Sequence, residues 1–265
     1  MITTEIKEIA SLLQARKFLE AEQLCQELEK QDTTDQEKIL LCDFKSKLYR
    51  ETGRLELAEE SLRQELEIAE KIYQPNDLTL SAILRNLAMM LDLQQKYHEA
   101  IPYAEQALEV LRNSLPSTDL RIADAIVTLA KHHYELGRFK LAQEFLAEAQ
   151  GLYEAKDGRH SLGVATCLNN LGRILENQGD TDAAINLYQE AAKIRQDLVG
   201  NHPDTAFVLL NLGTALADLG NYKEAVSALS SARDIYLELG LEDSPYLEAC
   251  RKNLMLCWNA VYTPC

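Results

Sequence analysis

The chain has 265 residues, and its 42 acidic side chains against 27 basic ones give a formal net charge of −15. A protein this acidic is poorly suited to non-specific binding of nucleic acids or anionic membranes, which requires clustered Lys and Arg, although local basic patches remain possible. The hydrophobic fraction of 46% is enough to bury a sizeable core.

The sequence contains no recognisable targeting or membrane segment. The N-terminal apolar residues are interrupted by Glu5, Lys7 and Glu8, unlike those of a signal peptide. No run of about 18 apolar residues occurs, so no membrane-spanning helix is predicted. We therefore expect a cytoplasmic protein that binds neither membranes nor nucleic acids.

The six cysteines lack the spacing of metal ligands. None forms C-x-x-C or a related pattern. Their expected role is that of small buried apolar residues in a reducing compartment. They are Cys25, Cys42, Cys167, Cys250, Cys257 and Cys265. We predict no metal site and no cofactor.

Apolar residues recur at helical spacing almost throughout the chain, and strand-like alternation is absent. In chain order, a weaker leading repeat over 2–35 is followed by five clearer helix–turn–helix repeats and a closing helix over 245–262. The five repeats are predicted at 36–77, 78–119, 120–161, 162–203 and 204–244. Together these elements predict a single all-α domain over 1–265.

Five tight turns define the period of the repeats. They follow one another at spacings of 42, 42, 42 and 41 residues. The turn positions are Gly53, Gln95, Gly137, Gly179 and Gly220. Glycine suits such a turn because it adopts left-handed dihedrals without a Cβ penalty. Gln95 is the one departure, so its turn is expected to be slightly strained.

Small residues recur at fixed offsets from these turns. Seven positions before the turn, the column reads Ser46, Ala88, Ala130, Gly172 and Gly213. Twelve positions after the turn, it reads Glu65, Ala107, Ala149, Ala191 and Ala232. Small side chains allow two helices to approach closely, so each repeat is predicted to be an antiparallel helix pair.

The pattern of small residue, turn glycine, aromatic residue and alanines resembles the tetratricopeptide repeat. The segments LGNYKEAVSAL and LQQKYHEAIPYAEQALEV match it most closely. The 42-residue period, with LNNLG, QGD and HPDTA, resembles the kinesin-light-chain-like subgroup. The resemblance covers about residues 36–245. It implies a right-handed superhelical solenoid whose first helices line a concave peptide-binding groove.

Two columns on the first helices are rich in polar residues and share a helix face. Nine positions before the turn, the column reads Phe44, Asn86, Thr128, Asn170 and Asn211. Six positions before the turn, it reads Lys47, Met89, Lys131, Arg173 and Thr214. A flanking column contains Arg85 and Asn169. If the apolar columns are buried, this face is the one left for a partner.

The resemblance implies roles for ten of these side chains. An amide can donate to and accept from a peptide backbone, so the peptide-clamp candidates are Asn86, Asn170 and Asn211. Basic groups select carboxylates, and these candidates are Lys47, Arg85, Lys131 and Arg173. The remaining groove-lining candidates are Met89, Thr128 and Asn169. Phe44 and Thr128 interrupt the clamp, and an Asn here could instead form a hydrogen bond between repeats.

No catalytic motif is found. The chain lacks a Gly-rich phosphate loop, G-x-S-x-G and H-E-x-x-H. His133 occupies a column filled elsewhere by Tyr or Leu, so a core position is expected. The HPD tripeptide at 202–204 is interpreted as a loop followed by a helix start. We predict no enzymatic activity and no catalytic residues.

The closing helix carries large apolar residues on two faces. Its main stripe consists of Leu247, Cys250, Leu254, Cys257 and Val261. Met255, Trp258 and Tyr262 lie off this stripe. They either wrap the end of the stack or form an exposed patch that supports homo-oligomerisation.

The sequence therefore predicts a non-catalytic adaptor that binds a segment of a partner protein, of acidic character, in the concave groove. Two alternatives stay open. One is a structural module that assembles oligomers through its terminal helices. The other is a regulatory protein that senses a peptide.

Overall fold

The computed structural model describes the backbone of residues 2–262 and the side chains of residues 5–261. This part of the chain contains thirteen helices and no strand. They are α1 (Ile2–Gln14), α2 (Phe18–Leu28), α3 (Asp35–Glu51), α4 (Leu55–Ile72), α5 (Leu78–Leu93), α6 (Tyr97–Ser114), α7 (Leu120–Glu135), α8 (Phe139–Asp157), α9 (Leu162–Asn177), α10 (Thr181–Val199), α11 (Pro203–Asp218), α12 (Tyr222–Glu238) and α13 (Pro245–Tyr262). None of these helices combines the length and apolar character needed to cross a membrane.

The helices form two compact units, residues 1–137 and residues 138–265. In the first unit, α3 packs on α4 and α5 packs on α6. In the second unit, α9 packs on α10, α11 packs on α12, and α12 also contacts α13. The predicted all-α helical-repeat fold is confirmed, since each unit is a stack of antiparallel helix pairs. The single domain over 1–265 and the right-handed superhelix stay predictions.

The first helices of the clear repeats begin at side-chain caps. Thr34 forms a capping box with Glu37, in which each side chain bonds the other residue's backbone N–H. His202 Nδ1 accepts from the Asp204 N–H at 3.2 Å, and Pro203 is the first residue of α11. The HPD tripeptide is therefore a helix start, as predicted. The other caps are Asp77, Asp119 and Ser161.

Close approach of paired helices depends on the small column before the turn. A Cβ placed on Gly172 of α9 would lie 2.6 Å from Tyr188 Cε1 on α10. A Cβ on Gly213 of α11 would lie 2.5 Å from Leu229 Cγ on α12. Real Cβ atoms do not tolerate such contacts, so these two helix pairs require glycine at their present separation. The close helix approach predicted for the small column is confirmed at these two positions.

The turn at Gln95 has the left-handed backbone that the sequence predicts. Gln95 has a φ of +60°, close to the values of +74° at Gly53 and +88° at Gly179. For an L-residue with a Cβ, this conformation costs roughly 1–2 kcal/mol. The cost stays small enough for the surrounding helix pair to hold the turn in place.

We expect Gln95→Gly to raise the free energy of unfolding by about 0.5–1 kcal/mol, because it removes that strain while adding some unfolded-state entropy. Urea denaturation of the two proteins measures the difference. The reverse change, Gly53→Ala, serves as a control and is expected to destabilise the protein. A Gln95→Gly protein less stable than wild type would contradict the strain assignment.

Five of the six cysteines are buried and free, as predicted, and Cys265 lies outside the described residues. Burial raises the pKa of Cys25 to about 12 and that of Cys42 to about 11, so both remain thiols at neutral pH. His133 is 3% exposed, which confirms its predicted core position. Its neighbour His132 is also buried.

Candidate functional site

In the first unit, helices α5, α6 and α7 enclose a cavity of about 260 Å³. Its floor is formed by small and aliphatic side chains, and charged side chains lie around it. The lining residues are Leu78, Ser81, Ala82, Arg85, Ala88, Ala104, Ala107, Leu111, Arg121, Asp124, Ala125 and Thr128. Alanines at the small columns leave this space empty, because their side chains end before the neighbouring helix.

Arg85 is the basic residue at this cavity whose guanidinium remains available. It is exposed, and the side chains that the structure describes offer it no hydrogen bond or ion pair. Arg121, by contrast, pairs with Asp119, with Nη2 and Oδ2 2.8 Å apart. The Thr128 hydroxyl donates to the Asp124 carbonyl at 3.0 Å within its own helix. The predicted site residue Arg85 therefore lies where it can meet a carboxylate.

Asn86 and Met89 share α5 with Arg85. Asn86 is half-buried, and its amide has no hydrogen bond to any residue in the described part of the chain. Met89 is 37% exposed. These two side chains therefore remain available on α5.

Lys131 is held by an acidic partner. Its Nζ lies 2.6 Å from Asp92 Oδ2, which links α7 to α5. The same carboxylate lies 3.7 Å from His132 Nε2, and burial lowers the pKa of His132. An acidic ligand would have to compete with Asp92 for this lysine.

Lys47 is also paired within the protein. Its Nζ lies 2.5 Å from Asp43 Oδ2 and 5.6 Å from the centre of the Phe44 ring. Close to this pair, Glu65 is 4% exposed, and its Oε2 has no hydrogen-bond partner. Burial, followed by the negative charge of Asp43, raises the pKa of Glu65 to about 8, while Lys47 opposes the shift. One feature of the sequence marks this residue, since it occupies a column that is otherwise alanine.

In the second unit, two of the predicted asparagines bind each other. Asn211 Nδ2 on α11 donates to Asn169 Oδ1 on α9 at 2.9 Å. Asn169 is only 6% exposed. The inter-repeat hydrogen bond considered above as an alternative is therefore present. It uses one donor of Asn211, whose side chain can still form further bonds.

A second polar link was missed by sequence reasoning. Asn253 Nδ2 on α13 donates to Thr214 Oγ1 on α11 at 3.0 Å. Thr214 lies in the same column as Lys47, Lys131 and Arg173. The sequence did offer a signal for Asn253, which follows Asn211 by one period of 42 residues. Together with the Asn169–Asn211 bond, the bond between Asn253 and Thr214 joins successive first helices of the second unit.

Asn170 and Arg173 complete the predicted set in the second unit. Asn170 is half-buried, and its side chain has no hydrogen bond to the residues described. Arg173 is also half-buried, and its positive charge acts on Glu176. Asn170 is thus the predicted clamp residue of this unit whose amide is still available to a ligand.

The off-stripe residues of α13 are exposed. Met255 is 60% exposed and Trp258 is 47% exposed, so neither is buried against the last repeat. The side chain of Tyr262 lies outside the described residues. Among the residues that are described, no group of three or more His, Cys, Asp or Glu could hold a metal ion.

Comparisons with known proteins agree with this architecture. A family model described as "Tetratricopeptide repeat" matches residues 44–113 and 121–197, and a second model of the same description matches residues 169–236. The solved structure of BtubC (BKLC) from P. vanneervenii superposes with a TM-score of 0.63 at 23% identity and covers 91% of this chain and 92% of that one.

Two curated relatives have related repeats. The clustered mitochondria protein homolog of Coccidioides immitis (strain RS) is 26% identical over 78% of this chain and 16% of its own length. KINESIN LIGHT CHAIN-RELATED 1 of Arabidopsis thaliana is 24% identical over 52% of this chain and 23% of its own length. The chain thus spans less than a quarter of either relative. Because the repeat model matches more than half of its residues, the chain belongs to the tetratricopeptide-repeat family, and its repeats are similar to those of the kinesin-light-chain-related relative.

Proposed function

We propose that this protein is a non-catalytic adaptor that binds an acidic segment of a partner protein on the first helices of its repeats. The observation that carries the proposal is Arg85, an exposed guanidinium that forms no ion pair with the side chains of residues 5–261 and lies beside an apolar cavity of about 260 Å³. The cavity is lined by Arg85, Arg121 and Asp124, so cations outnumber carboxylates there although the chain has a net charge of −15, and this local excess favours an anionic ligand.

The chemistry of the cavity divides recognition into two parts. Its alanine-rich floor accepts an apolar side chain, whose burial supplies affinity. Arg85 can form two parallel hydrogen bonds with a neighbouring carboxylate, which supplies specificity. Asn86 lies next to Arg85 in the sequence and can hold the peptide backbone through its amide.

Asn170 supports the same proposal in the second unit, since its amide is available in the same column as Asn86. Lys47 and Lys131 contribute less, because Asp43 and Asp92 already neutralise them. We therefore assign carboxylate selection mainly to Arg85. Lys131 links α7 to α5 through Asp92, whereas Lys47 pairs with Asp43 within α3.

We expect Arg85→Gln to weaken binding of an acidic peptide about tenfold or more, because a charge-assisted bidentate contact is lost. The probe is a fluorescein-labelled synthetic peptide in which a leucine is flanked by glutamates. Its twin has glutamine at every glutamate position. Fluorescence anisotropy measures the dissociation constants of both peptides for wild type and variant.

The matched control is Arg112→Gln, which removes an exposed arginine from the last turn of α6. This variant is expected to bind the acidic peptide as wild type does. Equal affinity of wild type for the two peptides would contradict acid selection. Unchanged affinity of Arg85→Gln would contradict the assignment of this selection to Arg85.

A further inference from the structure

Another cavity, of about 420 Å³, lies in the second unit where helices α11, α12 and α13 meet. Helix α12 runs antiparallel to its two neighbours, so its end lies beside the beginnings of α11 and α13. This arrangement brings Phe207 from α11, Tyr236 from α12 and Tyr246 from α13 onto the wall of one cavity, which we call the aromatic cavity. Its volume lies in the range of small-molecule sites, about 300–1,000 Å³.

The three rings of the aromatic cavity form a compact group. The centroids of Phe207 and Tyr246 are 5.0 Å apart with the rings at 70°, and those of Tyr236 and Tyr246 are 6.3 Å apart with the rings at 18°. Tyr246 is 47% exposed, so much of this residue remains open to a ligand. Ring faces carry partial negative charge, and several of them around one cavity attract a cation without using hydrogen bonds.

The repeat fold does not require rings at these positions. Phe207 lies thirteen positions before the turn at Gly220, and Tyr236 lies sixteen positions after it. The corresponding pairs in the four preceding repeats are Leu40 with Ala69, Ala82 with Leu111, Asp124 with Tyr153, and Thr166 with Arg195. Among these five repeats, aromatic residues occupy both positions only here, so packing of the helix pair does not by itself explain them.

The charges around the aromatic cavity favour a cation. None of the described residues that line it is Lys or Arg, whereas Asp204 is one of them. The loop between α12 and α13, which forms part of the wall, also carries Glu242 and Asp243, both exposed and without an ion pair to the described side chains. Asp204 Oδ2 already lies 3.2 Å from Arg195 Nη1 and 3.7 Å from His202 Nδ1. A cation with N–H donors would compete for this carboxylate, and a cation without them would not.

Tyr236, on the wall of this cavity, has an unsatisfied hydroxyl. The residue is 2% exposed, and its hydroxyl has no hydrogen bond to any group in the described part of the chain. Burial raises the pKa of Tyr236, so the hydroxyl stays protonated and neutral. Buried hydroxyls normally have a polar partner. Methyl groups on a quaternary nitrogen carry partial positive charge and can contact a hydroxyl oxygen through C–H···O interactions.

We propose that the aromatic cavity binds a quaternary ammonium group, with the three rings against the trimethylated nitrogen and the nearby carboxylates providing a favourable field. The source of this group is either a free amine such as choline or a trimethylated lysine of a partner protein. The cavity is built from residues between 203 and 246 and does not involve Arg85, so the proposal is independent of acidic-peptide binding.

Isothermal titration calorimetry with choline and with its neutral analogue 3,3-dimethylbutan-1-ol tests the proposal. The two probes have the same shape, but only choline is charged, so we expect wild type to bind choline at least about fivefold more tightly. In proton NMR, the methyl signal of bound choline is expected to move upfield, because its protons lie over ring faces. A peptide with trimethyllysine, compared with the same peptide carrying unmodified lysine, forms the second arm of the experiment.

Tyr246→Leu retains an apolar side chain on the wall and removes one ring face. We expect this variant to bind choline at least about fivefold more weakly than wild type. Phe207→Leu is the second variant, with the same expected direction. The matched control is Tyr222→Leu, which removes a 38% exposed tyrosine at the other end of α12 and is expected to bind as wild type does. Circular dichroism verifies that all three variants remain folded.

The two arms distinguish the sources of the ammonium group. Tighter binding of the trimethyllysine peptide than of choline assigns the cavity to a modified protein segment, and the opposite order assigns it to a free amine. The proposal would be overturned if neither cationic probe bound, if the neutral analogue bound as tightly as choline, or if both Tyr246→Leu and Phe207→Leu retained the affinity of wild type.

Discussion

Replacing Glu65 with glutamine is expected to stabilise the protein at pH 8.5 by on the order of 2–4 kcal/mol, and to change its stability little at pH 5. Glu65 is 4% exposed, without a hydrogen bond to its Oε2, and its pKa is raised to about 8. The cause is mainly burial, followed by the charge of Asp43. Burial penalises the ionised form of this carboxyl, so its ionisation at high pH destabilises the fold.

The direction of the pH dependence follows from the raised pKa. The folded state binds the Glu65 proton more tightly than the unfolded state, whose carboxyl has a pKa near 4.5. The resulting stabilisation is therefore fully present below about pH 4.5 and is lost as the pH rises towards 8. Glutamine carries no titrating group, so the variant lacks this loss.

Urea denaturation of wild type and Glu65→Gln from pH 5 to pH 8.5 measures the effect. The difference between the two stability curves isolates Glu65, because groups such as His132 titrate in both proteins. Glu65→Ala serves as a second variant, since alanine occupies this column in the four following repeats. A difference that does not change with pH would contradict the burial of an unpaired carboxyl.

The second large effect is expected at the contact between Gly172 and Tyr188. Tyr188 is fully buried, and its hydroxyl donates to Glu176 at 2.8 Å. We expect Tyr188→Ala to cost about 3–5 kcal/mol of unfolding free energy through the cavity that it leaves. In Gly172→Ala, the clash between the new methyl group and the Tyr188 ring is expected to cost about 1–3 kcal/mol of unfolding free energy. The better helix propensity of alanine offsets up to about 1 kcal/mol of this cost.

The double variant distinguishes this contact from two independent defects. With the ring removed, a methyl group on residue 172 fits without a clash, so the double variant should lose at least about 1 kcal/mol less than the sum of the single variants. Thermal and urea denaturation of the four proteins complete the cycle. Gly151→Ala is the control, because a Cβ there meets no atom within 4 Å. Strict additivity of the two changes would contradict a direct contact.

The basic residues predicted to select carboxylates illustrate where sequence reasoning about the site succeeds and where it stops. The column offsets place Lys47, Arg85 and Lys131 on first helices, and the structure agrees. Whether the two lysines are available to a ligand, however, depends on their partners Asp43 and Asp92. Lys47 and its partner are four residues apart on one helix, a spacing that the sequence reveals, whereas Lys131 and Asp92 are 39 residues apart. Arg85 differs from both because no carboxylate in the described part of the chain pairs with it.

Two neighbouring asparagines show the same limit of sequence reasoning. Asn169 and Asn170 are neighbours in the sequence, yet one is buried in a hydrogen bond to Asn211 and the other has its amide available. Adjacent residues on a helix differ by about 100° in direction. Which of them meets the next first helix depends on how the helix pairs stack.

The sequence by itself determined the repeat family, the period, the tight turns and the small residues between paired helices. These features follow from burial and backbone conformation, which recur at fixed offsets and can be compared between repeats. Only the tertiary structure decided which polar side chains are already paired, and that Glu65 is buried with no hydrogen bond to its Oε2. Those properties depend on contacts between side chains from different helices, whose geometry is set by packing and leaves no regular pattern in a single sequence.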